Sequence, residues 1–243
     1  MVATPQHSEH LILLSGPTSG LGHEIFKLLL GQGYPLVCLG RKLGRLQPIP
    51  TRESAQVELL ELDFGGNKES WLKVQDRLQS LIRVGRPPAT IFISNAAVIE
   101  PIGKSSDNSM DILRQAAQIN VLTPLMIANT LAQAVSLNGS PLLIINIDSG
   151  ASRNPVMGWQ AYCATKAAYR MGLDVLALEN PLVEVLHYEP GAMDTPMQNV
   201  IRTKKKSQMP DVENFKVLHS QGLLAEPHEV AADIVAILER RLL

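Results

Sequence analysis

Residues 10–32, HLILLSGPTSGLGHEIFKLLLGQ, join an unbroken apolar run to a glycine-rich turn, and that turn to a stretch with apolar residues at helical spacing. The run from Leu11 to Leu14 is apolar at every position, the pattern of a strand buried on both faces in a parallel sheet. In the turn Ser15-Gly16-Pro17-Thr18-Ser19-Gly20-Leu21-Gly22, the glycines let the chain bend tightly and let a pyrophosphate approach the backbone. A helix starting there offers free N–H groups and the positive end of its dipole to the phosphate. A glycine-rich turn alone reads equally as a tight bend. A strand before it and a helix after it favour a dinucleotide-binding unit, although the spacing G-x3-G-x-G departs from the G-x-G-x-x-G fingerprint.

The same alternation continues outward. PLVCLGR (35–41), VELLELD (57–63), ATIFIS (89–94), PLLIINI (141–147) and LVEVLHY (182–188) read as further strands buried on both faces. Residues 68–83, 108–137, 159–179 and 228–242 read as helices between and after them. Strands alternating with helices imply right-handed βαβ crossovers. The expected fold is α/β, a doubly wound Rossmann sheet of six or seven mostly parallel strands with helices on both faces. Residues 1–243 are expected to form one domain, and the least regular stretch, 195–226, to form a substrate lid. Within it, Lys204-Lys205-Lys206 reads as a solvated face.

Composition narrows the function classes. At 45% hydrophobic and 19% charged, the 243-residue chain is neither disordered, collagen-like nor a coiled coil. A net charge of −1 argues against nucleic acid as the main partner. Cys38 and Cys163 are far apart and read as reduced thiols, and the six scattered histidines suggest no metal site. MVATPQHSEH lacks the features of a secretory signal, and no apolar run reaches the ~20 residues of a bilayer span. A cytoplasmic protein without a membrane partner is expected.

Arg41 stands nineteen residues past Gly22, at the end of the second strand. Dinucleotide folds place an acidic residue near this position to hold a free ribose 2′-hydroxyl. A guanidinium suits a 2′-phosphate instead, and Lys42 adds charge, so NADPH/NADP+ is the expected cofactor. Asp63 and Asn95, at the ends of the third and fourth strands, are candidates for adenine and ribose contacts and equally ordinary turn formers. Ser149 ends the fifth strand thirteen residues before Tyr162, and Tyr162 and Lys166 share one helix face. A nearby ammonium is expected to lower the phenol's pKa from about 10 toward working pH. The serine hydroxyl can hydrogen-bond a substrate carbonyl.

In this arrangement the chain resembles the short-chain dehydrogenase/reductase family over roughly residues 10–242. The family's glycine turn falls on residues 15–22, and its cofactor cradle on Pro190-Gly191-Ala192-Met193-Asp194-Thr195. The resemblance implies cofactor contacts from Gly16, Thr18, Ser19, Gly20, Leu21, Gly22, Asn95, Pro190, Gly191 and Thr195, with Tyr162 and Lys166 also touching the cofactor. It implies a catalytic set of Asn120, Ser149, Tyr162 and Lys166, with Tyr162 as proton donor and Asn120 holding a relay water. A narrower likeness to sepiapterin and benzil reductases rests on Ser149-Gly150-Ala151-Ser152, the stretch Gly158 to Cys163, and Asp194-Thr195-Pro196-Met197-Gln198. It implies NADPH-dependent reduction of a ketone or vicinal dicarbonyl. Ser149, Trp159, Met193 and Met197, with Met157, would line an apolar substrate pocket.

Departures from the pattern are Ala97 for glycine, Ser19 for a basic residue, and Asp148 for serine; Asp148 is expected to point away from the site. The chain ends at Leu243 directly after the last helix, where the family adds a strand and a tail, so a pterin anchor on that tail is not expected. A homodimer through the helices at 108–137 and 159–179 is expected, with a tetramer as the alternative. The competing functions are an alcohol dehydrogenase working oxidatively and a non-catalytic NADP(H)-binding sensor, and the complete catalytic set argues against the sensor.

Overall fold

A computed structural model describes residues 10–46, 56–66 and 68–242. Most of the stretch read for a signal, residues 1–9, lies outside them. Six strands form one sheet in the order β3-β2-β1-β4-β5-β6, with every neighbouring pair parallel. They are β1 (Leu11–Ser15), β2 (Leu36–Gly40), β3 (Val57–Glu61), β4 (Thr90–Ser94), β5 (Leu142–Ile147) and β6 (Val183–Tyr188). The helices are α1 (Gly20–Gly31), α2 (Lys68–Gly85), α3 (Met110–Ala117), α4 (Thr123–Asn138), α5 (Gln160–Glu179), α6 (Pro196–Arg202), α7 (Val212–Ser220) and α8 (Pro227–Leu242).

Alternation along each central strand divides the core into two layers. Ile12, Leu14, Ile91, Ile93 and Ile145 pack with Ile25 and Leu29 of α1 and Ile234 and Leu238 of α8. Leu13, Val37, Phe92 and Ile144 pack on the opposite face with Leu78 of α2, Leu131 of α4 and Leu173 of α5. The four inner strands β1, β2, β4 and β5 are apolar because both faces are covered. The expectation fails for the edges. β3 alternates between exposed and half-buried positions, with Leu59 exposed, and β6 is mostly half-buried.

The expected single helix at 108–137 is α3 and α4 joined by a wide π-turn at 118–122 that carries Asn120. This continuous run is long and apolar enough to cross a bilayer by composition alone. Its apolar side chains Ile127, Leu131 and Val135 are instead spent on the sheet. The lid region is more ordered than its sequence suggests, since α6 and α7 lie within it. Lys204 is not a solvated lysine: it pairs with Glu100 at 3.1 Å and so ties the lid to the loop after β4.

Phe92 is fully buried in the central β4, whereas Leu178 on α5 is exposed. Phe92→Ala should cost about 3–5 kcal/mol and Leu178→Ala less than about 0.5 kcal/mol, read from denaturant midpoints at unchanged m-value.

Candidate active site

Because all six strands run the same way, their carboxyl ends open on one edge of the sheet, the usual ligand position in such folds. A cleft of about 750 Å³ lies there, running from the β1–α1 turn and Arg41 to Tyr162 and on to the lid.

Its floor at one end is the glycine turn. Gly16 and Gly20 have φ of +68° and +53°, a region that L side chains avoid. Gly22 is needed for closeness: a Cβ there would stand 2.1 Å from the Gly16 carbonyl oxygen. Two residues brace the turn from below. The Ser15 hydroxyl accepts from the backbone N–H groups of Asn95 and Ala96, at 2.9 and 3.0 Å. The Asn95 amide donates to the carbonyls of Ser15 and Gly16 at 3.0 and 3.2 Å. Ser19 stands at the N-cap of α1 without a side-chain capping bond. A narrow, glycine-lined turn at the N-terminus of a twelve-residue helix fits a dinucleotide pyrophosphate.

Arg41 is largely exposed on the rim of the cleft, with Nη1 3.9 Å from Asp63 Oδ1. Gly16, Thr18, Ser19, Gly20, Leu21, Asp63, Asn95, Pro190, Gly191 and Thr195 also line the cleft. Gly22 does not, and its place is in packing α1 against the turn.

At the other end, α5 projects Tyr162 and Lys166 from one face, both more than nine-tenths buried. Lys166 Nζ donates to the Ile147 carbonyl at 2.6 Å and lies 5.9 Å from the centre of the Tyr162 ring. Ser149 shares the cleft with Tyr162, and its hydroxyl accepts from the Ala151 N–H at 3.2 Å. Burial pushes the Tyr162 phenol up to about 12; the neighbouring Ser149 hydroxyl works against this, and the Asp148 charge adds to it. Burial pulls Lys166 down to about 8, against an opposing pull from Asp148. The expected lowering of the tyrosine by the lysine is therefore reversed. Lys166 is committed to a backbone carbonyl, and removal from water dominates.

The other candidate residues do not all face the cleft. Asn120 is buried outside the cleft lining, and its side chain is fully engaged: Oδ1 accepts from Val98 N–H, and Nδ2 donates to the Val98 carbonyl and Thr165. Asp148 stands at the cleft, but its side chain is wholly buried, and its Oδ2 takes the Arg170 guanidinium at 2.6 Å. Met157 is exposed rather than lining the cleft. Trp159, Met193 and Met197 do line it, and Trp159 packs edge-on to Tyr162 at 5.6 Å and beside Phe215 at 5.5 Å. Phe215, Ile201 and Val156 complete an apolar wall. Phe215 went unnoticed because a lone aromatic in the lid carries no sequence signal of where α7 will place it.

A family model described as short chain dehydrogenase matches residues 10–206. The chain is 28% identical over 234 residues to a benzil reductase ((S)-benzoin forming) of Bacillus subtilis, covering 95% of this chain and 93% of that protein. It is 29% identical over 244 residues to the sepiapterin reductase of Rattus norvegicus, covering 94% and 90%. A short-chain dehydrogenase from Sphingobium yanoikuyae, solved in complex with NADPH, superposes with a TM-score of 0.73 at 23% identity, covering 95% and 85%. The chain belongs to the short-chain dehydrogenase family, and it is an oxidoreductase of that kind.

Gly22→Ala should weaken nicotinamide-dinucleotide binding at least about tenfold and lower stability by about 1–3 kcal/mol through overpacking. Gly31→Ala, whose Cβ would meet nothing within 4 Å, should leave both unchanged. Cofactor fluorescence titration and thermal unfolding check the pair.

Proposed function

We propose that this short-chain dehydrogenase is an NADPH-dependent carbonyl reductase acting on ketones or vicinal dicarbonyls, with Tyr162 as the proton donor. The observation that carries the reading is a buried phenol in the same cleft as Ser149 and Lys166, a cleft that ends at the glycine cradle and Arg41. Bound NADPH would supply the hydride and the cleft its dry surroundings.

The chain's own groups do the rest. Ser149 donates a hydrogen bond to the substrate carbonyl oxygen and polarises it. Tyr162, held neutral by burial, is an acid rather than a base at neutral pH, and it protonates that oxygen as negative charge develops there. This favours the reductive over the oxidative direction. Lys166 supplies positive charge beside the phenolate left behind. Of the residues lining the cleft, Arg41 would receive the 2′-phosphate, Thr18, Ser19, Gly20 and Leu21 would hold the pyrophosphate, and Gly191 and Thr195 the nicotinamide end. Asn120 acts from behind the cleft, where its bonds to Val98 and Thr165 hold the wall and α5 together.

The wall of Trp159, Phe215, Met193, Met197 and Ile201 suits a neutral, hydrophobic or aromatic carbonyl compound. The Bacillus subtilis relative is named for such a diketone. The two cysteines, both free, agree with a cytoplasmic setting. Exposed Leu122 and Met126 of the π-turn and α4, with Met171 and Val175 of α5, support a homodimer through those helices.

Tyr162→Phe should lower kcat at least about 100-fold while NADPH affinity stays within about twofold. Arg41→Ala should reduce the NADPH-over-NADH preference in kcat/KM about 10- to 100-fold, because a bidentate charge contact is lost. Reduction should be fastest at neutral pH and decline as pH rises past about 8, where Lys166 loses its charge. Initial rates across pH check the last of these.

A further inference from the structure

Two successive turns of α5 grip the end of β5. Lys166 takes the Ile147 carbonyl at 2.6 Å, and Arg170, one turn later, takes the side chain of the next residue, Asp148, at 2.6 Å. The Asp148 carboxylate is wholly buried, and its Oδ2 also accepts from the Ser152 hydroxyl at 3.0 Å. Ser152 closes the turn on Ser149 through its backbone N–H at 2.9 Å. The other oxygen, Oδ1, is buried without a hydrogen-bond partner. A carboxylate kept under a neighbouring active site with half its acceptor capacity unmet is a costly arrangement, and such groups call for an explanation.

We propose that Asp148, clamped by Arg170, is a positioning residue of the active site: it fixes the turn that carries Ser149 and supplies a negative charge to the buried Lys166. This rests on the reading of Tyr162 as proton donor. The charged and titratable groups around Asp148 are Tyr162, Lys166 and Arg170 of α5, Arg153 in the following turn, and Glu189 after β6. Glu189 lies 2.6 Å from Arg153 and 3.8 Å from Arg170, so the Arg170 charge is shared between Asp148 and Glu189. Asp148 is the carboxylate that acts on both Lys166 and Tyr162, and in both cases it favours retention of the proton. The clamp thus keeps the donor side of the site loaded to higher pH.

The sign gives a test. Asp148→Asn removes a negative charge and leaves the Arg170 cation unmatched, so the Tyr162–Lys166 pair releases its first proton more easily. Arg170→Gln leaves the Asp148 charge unmatched, so that proton is held more tightly. The measurements are NADPH affinity against pH, by cofactor fluorescence with no carbonyl present, and kcat/KM against pH with benzil as the carbonyl probe.

The alkaline limb of the affinity profile should move to lower pH by about one unit in Asp148→Asn and to higher pH in Arg170→Gln. The double variant should return toward wild type. A group with only a structural role would cost rate in both variants without moving the limbs apart. Limbs that stay fixed or move in the same direction therefore overturn the proposal, and if Asp148→Asn fails to fold, the alkaline shift of Arg170→Gln still decides it. Tyr162→Phe run alongside separates the two failures. If it retains turnover, the proton-donor reading falls and this inference with it; if it is inactive while the limbs stay fixed, only this inference falls.

Discussion

Both faces of this sheet are covered, and that constraint sets everything else. A parallel sheet with helices on either side must return every strand through a crossover, so all six carboxyl ends emerge on one edge. The cradle after β1, Arg41 after β2, Asp63 beyond β3, Asn95 after β4, Ser149 after β5 and Pro190 beyond β6 gather there though they are distant in sequence. The buried layers on each side hold that edge rigid, and α6 and α7 add side chains to its apolar wall.

Within the cleft, removal from water outweighs proximity of charge. A lysine on the same helix face as a tyrosine suggests a lowered phenol pKa, but Lys166 spends its ammonium on the Ile147 carbonyl while burial raises Tyr162. The result is a neutral acid beside a cation whose own proton is loosely held. That combination suits protonation of an oxygen where negative charge is developing.

The strand–turn–helix at residues 10–32 was readable because its signals are local: apolar continuity, glycine spacing and helical periodicity. The same holds for the inner strands and for the pair Tyr162 and Lys166. Edge strands were read as buried because the apolar residues of VELLELD outweighed its carboxylates Glu58, Glu61 and Asp63 in the reading, and only the sheet order reveals that, among the described residues, no strand pairs beyond β3. Asn120 sits on a π-turn that turns its side chain to Val98, and such a turn has no sequence signature. The partner of Asp148 was not legible, because Arg170 lies twenty-two residues on and two helical turns beyond Tyr162. The lid's helices went unread because short amphipathic segments broken by Pro196 and Pro210 give weak periodicity.

The central claim is that this cleft reduces carbonyls with NADPH. Its most direct test is NADPH consumption by the purified protein with benzil, an aliphatic diketone, sepiapterin and a simple aldehyde, with NADH in parallel and products identified. The account predicts consumption of NADPH in preference to NADH, with one hydroxyl formed per cofactor oxidised on a hydrophobic ketone or diketone. Tight NADPH binding with no turnover of any of these carbonyls, or turnover equally fast with NADH, would contradict it.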